Sequence, residues 1–279
     1  MTDAAHVGDT HAHAALIDAA GQTHAAVDFG RSAPRIVSLV PSITELLCDL
    51  GLAANLVGRT GFCVHPAAIV ANIPKVGGTK DVNLEKVRAL APTHLIVNID
   101  ENEKPTVDRL AQFVPQVIVT HPLTPSDNPA LYRLLGGIFG AQEAAETLCR
   151  DFERELGNLR AMPAATPKTV LYCIWKDPWM TVARDTYIAA MLAQIGWRQW
   201  TPEDGGAARY PTFDWSAKLL AAVDEVLLST EPYRFTPAHA ATLQEQIGKP
   251  VRLVDGEMLS WYGSRAIRGL AYLREIAGQ

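Results

Sequence analysis

The chain has 279 residues, of which 48% are hydrophobic and 20% charged, with a net charge of −5. That composition describes a folded globular protein large enough for two lobes and excludes a disordered or fibrous chain. The negative balance excludes a nucleic-acid backbone as the main partner, and no stretch approaches the ~18 apolar residues that a membrane span requires.

Residues 1–14 are polar and Ala-rich, with His6, His11 and His13 close together, and are expected to form a disordered, solvated tail rather than a metal tract. The first twenty residues show neither a basic n-region nor an apolar h-region, and no lipidation cysteine. The chain as written is therefore expected in the cytoplasm, or in the periplasm if its true start lies upstream. Two short apolar runs flanking Ala20-Gly21-Gln22 predict a β-hairpin. The body opens at Pro34. Arg35 to Val40 is a continuous apolar run of the kind buried on both faces of a parallel sheet. Ser42 and Glu45 carry the spacing of a capping box for the helix that follows, and Gly51 ends it.

Strand and helix then alternate. Strands are expected at Leu56–Gly58, Thr93–Ile99 and Gln116–Thr120, and helices at Leu84–Leu90 and Glu103–Phe113. Between Pro129 and about Met162 the apolar residues Leu131, Leu135, Ile138, Ala145, Cys149, Phe152, Leu156 and Leu159 fall three or four apart, with Gln142 filling one gap. This is the period of one helical face, and it predicts a single connecting helix of roughly 45–50 Å. The alternation resumes beyond it, with strands at Thr169–Ile174, Glu225–Ser229 and Val251–Val254 and helices at 186–195, 215–222, 237–247 and 264–276. The expected architecture is α/β: two lobes with mostly parallel sheets (residues 15–128 and 163–279) joined by the helix at 129–162, with a ligand cleft between the lobes.

Ligands of open α/β sheets bind beyond the carboxyl ends of the strands. Those positions hold Ser42, Arg59, Phe62, Cys63, His65 and Asp100 in the first half, and Trp175, Trp179, Glu231, Tyr233, Trp261, Tyr262 and Arg265 in the second. Aromatics interspersed with Arg and Glu suit a large, flat, partly polar ligand. Cys63 and His65, one residue apart, are candidate metal ligands, either to a free ion or axially to a metal already inside a macrocycle. No other Cys/His pair accompanies them to close a structural zinc site. His94, inside an apolar strand, is expected to be a satisfied core residue. Cys48, Cys149 and Cys173 sit among apolar neighbours and read as buried hydrophobes rather than a disulfide framework. The sequence has neither a phosphate-binding G-x-x-x-x-G-K-[ST] loop nor a G-x-S-x-G elbow, and Asp177, Glu231 and Glu257 imply no catalytic geometry. A non-enzyme is expected.

Pro34 to Ser42 with Thr44-Glu45 and Leu50-Gly51 resembles the opening of the class III substrate-binding proteins of ABC importers, the cobalamin and iron-siderophore receptors. Val57-Gly58, His65-Pro66, Pro74 to Gly77, Asn83-Leu84-Glu85, Leu90-Ala91-Pro92 and the long helix extend the likeness over about residues 15–279, with the cobalamin-binding branch most similar. The resemblance implies non-catalytic binding of a corrinoid or related metal chelate between the lobes, with no cofactor required and an ABC permease as partner. A ferric-siderophore or haem receptor, and a cytoplasmic metal-handling protein or enzyme using Cys63 and His65, are the alternatives. The family docks on its permease through one exposed Glu per lobe. Glu85 matches the first; near the second position, at Trp215 to Lys218, no Glu appears and Asp214 is the nearby acid.

Overall fold

A computed structural model describes residues 15–163, 166–202 and 208–278; the expected tail at 1–14, with its three histidines, lies outside them. The chain opens with the expected hairpin, β1 (Leu16–Ile17) against β2 (Thr23–His24), turning through Gly21 in the left-handed region at φ 79°. Asp18 ties this hairpin to the body: it accepts from the Val119 amide at 3.0 Å and pairs with His24 at 3.0 Å.

The first sheet is fully parallel. It is built from β3 (Ile36–Ser38), β4 (Leu56–Arg59), β5 (His94–Asn98) and β6 (Gln116–Thr120) in the spatial order β4-β3-β5-β6. Helices α1 (Pro41–Asp49), α2 (Ala67–Val70), α3 (Leu84–Ala89) and α4 (Lys104–Leu110) connect the strands. Their apolar runs explain the arrangement, because every strand residue from Ile36 to Ser38 and from Leu95 to Asn98 is buried. The expected capping box at Ser42 and Glu45 is not formed. Pro41, which has no N–H to satisfy, opens α1 behind Val40, and no side chain caps it. Glu45 is thereby left for another partner.

The connecting segment departs from expectation. Instead of one helix there are two, α5 (Asn128–Ile138) and α6 (Gln142–Arg160), broken at Phe139-Gly140-Ala141, where Gly140 takes φ 65°. They run antiparallel: Arg133 pairs with Glu146 at 2.6 Å, and the Cys149 thiol lies 3.6 Å from the Pro129 carbonyl. The apolar period looked continuous because both helices turn their stripes, Leu131 to Ile138 and Ala145 to Leu159, into one core. The helix between the lobes is thus α6 alone, 19 residues and about 28 Å long.

The second sheet contains β7 (Lys168–Trp175), β8 (Met180–Thr181), β9 (Trp197–Gln199), β10 (Glu225–Ser229) and β11 (Val251–Val254). Strands β11, β10, β7 and β9 are parallel in that order, and the short β8 is antiparallel to β7. Helices α7 (Tyr187–Ala193), α8 (Ala217–Ala222), α9 (Pro237–Ile247), α10 (Gly256–Ser260) and α11 (Arg265–Ala277) complete it. Along β7 the side chains alternate between two cores. Leu171 and Cys173 join an outer cluster with α8 and α9, whereas Val170, Tyr172 and Ile174 join a central one. That central core includes Ile36 and Val40 of the first lobe, α5, α6, α7 and α11, so both lobes share it.

A Cβ at Gly136 would lie 2.6 Å from that of Ala145, and one at Gly137 would collide with Leu16. Gly136 therefore serves the α5–α6 contact, and Gly137 the contact with the hairpin. Gly136→Leu is expected to lower stability by about 1–3 kcal/mol through overpacking, read as a fall in thermal midpoint, while leaving ligand preference unchanged in the folded fraction.

Candidate functional site

The carboxyl ends of the two parallel sheets face each other, and side-chain links cross between them. Arg265, at the start of α11, donates to both oxygens of Glu45 on α1 at 2.7 Å each and to Glu257 on α10 at 2.7 Å. Glu257 continues to His65 of the first lobe at 3.0 Å. Tyr262 donates its hydroxyl to Glu101 at 2.6 Å. Arg209 reaches Asp100 at 3.1 Å, and Asp100 lies 3.3 Å from His121. A further link is backbone: Gly263 donates its N–H to Asn128 at 2.7 Å and accepts from the Tyr132 hydroxyl at 2.8 Å.

Local sequence positions these groups. Asp255 accepts from the Met258 N–H and caps α10, the short helix that carries Glu257 and Ser260. Gly263, at φ 78°, turns the chain from α10 into α11, where a Cβ would press on the Ser42 carbonyl and Leu46. Trp261 lies between: its indole N–H donates to Glu231 at 2.8 Å, its ring lies 4.7 Å from the Arg265 guanidinium carbon, and the His65 ring meets it edge-on at 5.6 Å. Ser260 donates to the same Glu231 oxygen at 2.6 Å.

The electrostatics follow from burial. Arg265 is 4% exposed; burial works against its charge, but Glu45 and then Glu257 outweigh it and hold its pKa above the ordinary value. Glu101 is pushed up to about 7 by burial, with Glu231 and Asp100 adding to the effect against the donation from Tyr262. Glu231 is also raised, by burial first and then by Glu257 and Asp255 despite its two donors.

The structure assembles at this seam Ser42, His65, Asp100, Glu231, Trp261, Tyr262 and Arg265 from the residues expected there. Ser42 is 3% exposed, with its side chain beside the Tyr262 hydroxyl. Phe62 and Trp175 stand at the ends of their strands, 62% and 39% exposed. Arg59, Cys63, Trp179 and Tyr233 lie elsewhere. Arg59 is buried and donates to the carbonyls of Val70 and Thr60 at 2.7 and 3.0 Å, so its charge is spent holding a loop. Cys63 is fully buried, with Thr44 and Thr60 hydroxyls 3.1 and 3.2 Å from its sulfur, and burial raises its thiol pKa. It cannot join His65 at a metal, and among the described residues no group of three or more His, Cys, Asp or Glu could hold a metal ion. All four cysteines are free thiols. Trp179 stacks on Phe235 at 5.8 Å and lines a cavity of about 380 Å³ between the turn after β7 and α9. The Tyr233 ring packs against Trp175 and Phe235. His94 is half-buried, bonded to Thr93 at 2.8 Å and edge-on to Phe139; burial and then His24 push it down to about 4.

Four seam residues were not on the expected list. Glu45 was hidden behind its apparent capping role, Glu257 behind its unremarkable spacing, and Glu101 beside Asp100 in the same run. Arg209 follows no recognisable strand, so nothing local marked it.

Residues 36–247 match the family described as periplasmic binding protein. A vitamin B12-binding protein of Pectobacterium carotovorum is 28% identical over 126 residues, and the chain spans 45% of that relative's length. Among solved structures, the periplasmic vitamin B12-binding protein of Vibrio cholerae aligns with a TM-score of 0.73 at 20% identity, covering 88% of this chain and 98% of that one. A periplasmic haem-binding protein of Roseiflexus aligns at 0.70 and 22% identity, covering 88% and 100%. Both likenesses establish the fold.

A carboxyl that keeps its proton in the folded state destabilises that state once the unfolded chain has lost its own. For Glu101, stability should fall as pH rises from about 4.5 to about 7 and then level off, by up to roughly 3 kcal/mol if lobe separation does not relieve it. Glu101→Gln, which keeps an acceptor for Tyr262, should flatten that fall in thermal melts taken from pH 5 to 8; an unchanged slope would remove Glu101 as its cause. Arg265→Met strands Glu45 and Glu257 and should cost about 3–5 kcal/mol, measured by denaturant unfolding.

Proposed function

The chain belongs to the periplasmic binding protein family, and from that premise we propose that it binds a corrinoid or similarly flat metal chelate at the seam, without catalysis. The observation that carries this reading is the pair of exposed aromatics beyond the strand ends, Phe62 on the first lobe and Trp175 on the second, beside a seam that holds Trp261 and Tyr262. Rings presented from both sides suit a planar macrocycle wider than the seam, gripped by its faces and rim. The metal arrives inside its chelate, and His65, with its side chain 35% exposed, is the imidazole within reach of it once Glu257 releases its hold. Non-catalytic binding accords with the seam's acids, of which Glu45, Asp100 and Glu257 are fixed in ion pairs.

The partner we propose is an ABC permease, met outside the cytoplasm, where members of this family work. Glu85 stands on the first turn of α3, its side chain 83% exposed, behind the cap Asn83. The matching position behind the cap Ser216 of α8 is Lys218, and Asp214 is exposed just before it. Glu85 and Asp214 are the exposed acids, one per lobe, that would meet the permease. No helix among the described residues is long and apolar enough to cross a membrane.

Titration of the purified protein with cyanocobalamin, haemin and a ferric siderophore, followed by tryptophan fluorescence and absorbance, tests the ligand class. Saturable quenching by cyanocobalamin is expected, and Trp175→Ala should weaken it about three- to ten-fold, the worth of one aromatic contact. No response to any corrinoid at high micromolar concentration would overturn the reading.

A further inference from the structure

The seam holds more carboxyls than cations, and its cations are committed. Arg265 spends Nε and both terminal nitrogens on Glu45 and Glu257. Arg209 places its terminal nitrogens on Asp100 and Asp185, each at 3.1 Å. Two carboxyls are left without a cation. Glu101, from the first lobe, receives one hydroxyl from Tyr262 on Oε1. Glu231, from the second lobe, receives Ser260 and Trp261 on Oε1 alone. Each keeps its second oxygen, and Glu231 is close enough to add to the cost of charging Glu101. An incoming ligand thus meets two carboxyl acceptors, one per lobe, while Arg265 and Arg209 are engaged elsewhere.

Resting on the reading above, we propose that the seam selects its macrocycle by rim charge. It takes a corrinoid whose peripheral side chains are amides and rejects the same ring bearing free carboxylates, with Glu101 and Glu231 as the discriminating residues. Amide N–H groups donate to the free carboxyl oxygens of either lobe, forming hydrogen bonds strengthened by the acceptor's charge. Once both acids are ionised, a carboxylate in the same place meets like charge and offers no donor, and such juxtaposition is costly in a water-poor site. Haem, whose rim carries two propionates, falls on the rejected side by the same chemistry.

Dicyanocobinamide, which carries the amides, and dicyanocobyrinic acid, which carries carboxylates on the same ring, separate rim charge from ring shape. Titrated into the wild-type chain at pH 9, well above the value of about 7 to which Glu101 is raised, and read by tryptophan quenching, cobinamide should bind at least ten-fold more tightly. The double variant Glu101→Gln, Glu231→Gln keeps the acceptors for Tyr262, Ser260 and Trp261, and should narrow the gap to within about three-fold by tightening the carboxylate form. Equal wild-type affinities, or tighter binding of cobyrinic acid, would overturn the charge inference while leaving the corrinoid reading standing. An unchanged gap in the folded double variant would overturn the assignment to these two residues. Saturation by haemin with no response to either corrinoid would overturn both readings together.

Discussion

The lobes are held at their working distance by one guanidinium. Arg265 lies at the first turn of α11 with its side chain 3% exposed and meets a carboxylate from each lobe. A charge at that depth is tolerable only while every donor is matched, because the cost of removing it from water is offset by its partners and by nothing else. Separating the lobes would strand Glu45 and leave Arg265 with Glu257 alone. Glu257 passes the constraint to His65, and Tyr262, three residues earlier in the chain, fixes Glu101.

Hydrophobic packing points the same way. Proteins that close by a hinge usually give each lobe its own core and leave a few free residues between them. Here residues of both sheets enter a single central cluster with α5, α6 and α11, and Arg274 of α11 adds an ion pair to Glu155 of α6 at 2.8 Å. Interdigitated side chains of this kind resist continuous deformation. A binding site in such a frame is largely formed before its ligand arrives, so its acids and aromatics describe what it accepts.

The strands and their order of alternation were legible in the sequence because buried parallel strands are apolar runs with few alternative explanations. The connecting helix was half legible. Its stripe was real, but periodicity reports which side is buried and not the direction of travel, so two helices folded against one core read as one. Gly140 was the mark of the break, and its left-handed backbone shows only in three dimensions. Glu45 shows a different limit. Its spacing from Ser42 satisfied a local rule, and Pro41 satisfied another; Pro41 set the helix start, while Glu45 formed a bond 220 positions along the chain. Cys63 and Trp179 stand at strand ends like true site residues, but which face of the sheet they take depends on packing that no strand-end rule encodes.

The segment from Asp255 to Arg265 joins the two properties that a receptor of this kind needs. Its cap, its short helix and the turn at Gly263 set Glu257 and Arg265 in the clamp, and the same eleven positions set Ser260, Trp261 and Tyr262 against Glu231 and Glu101. Moving Trp261 to suit another ligand would shift Arg265, which its ring touches, and with it the spacing of the lobes. On the proposed reading, ligand choice is therefore free to vary at the exposed Phe62 and Trp175, which stand outside the clamp, and is constrained at the seam, where binding and architecture would use the same side chains.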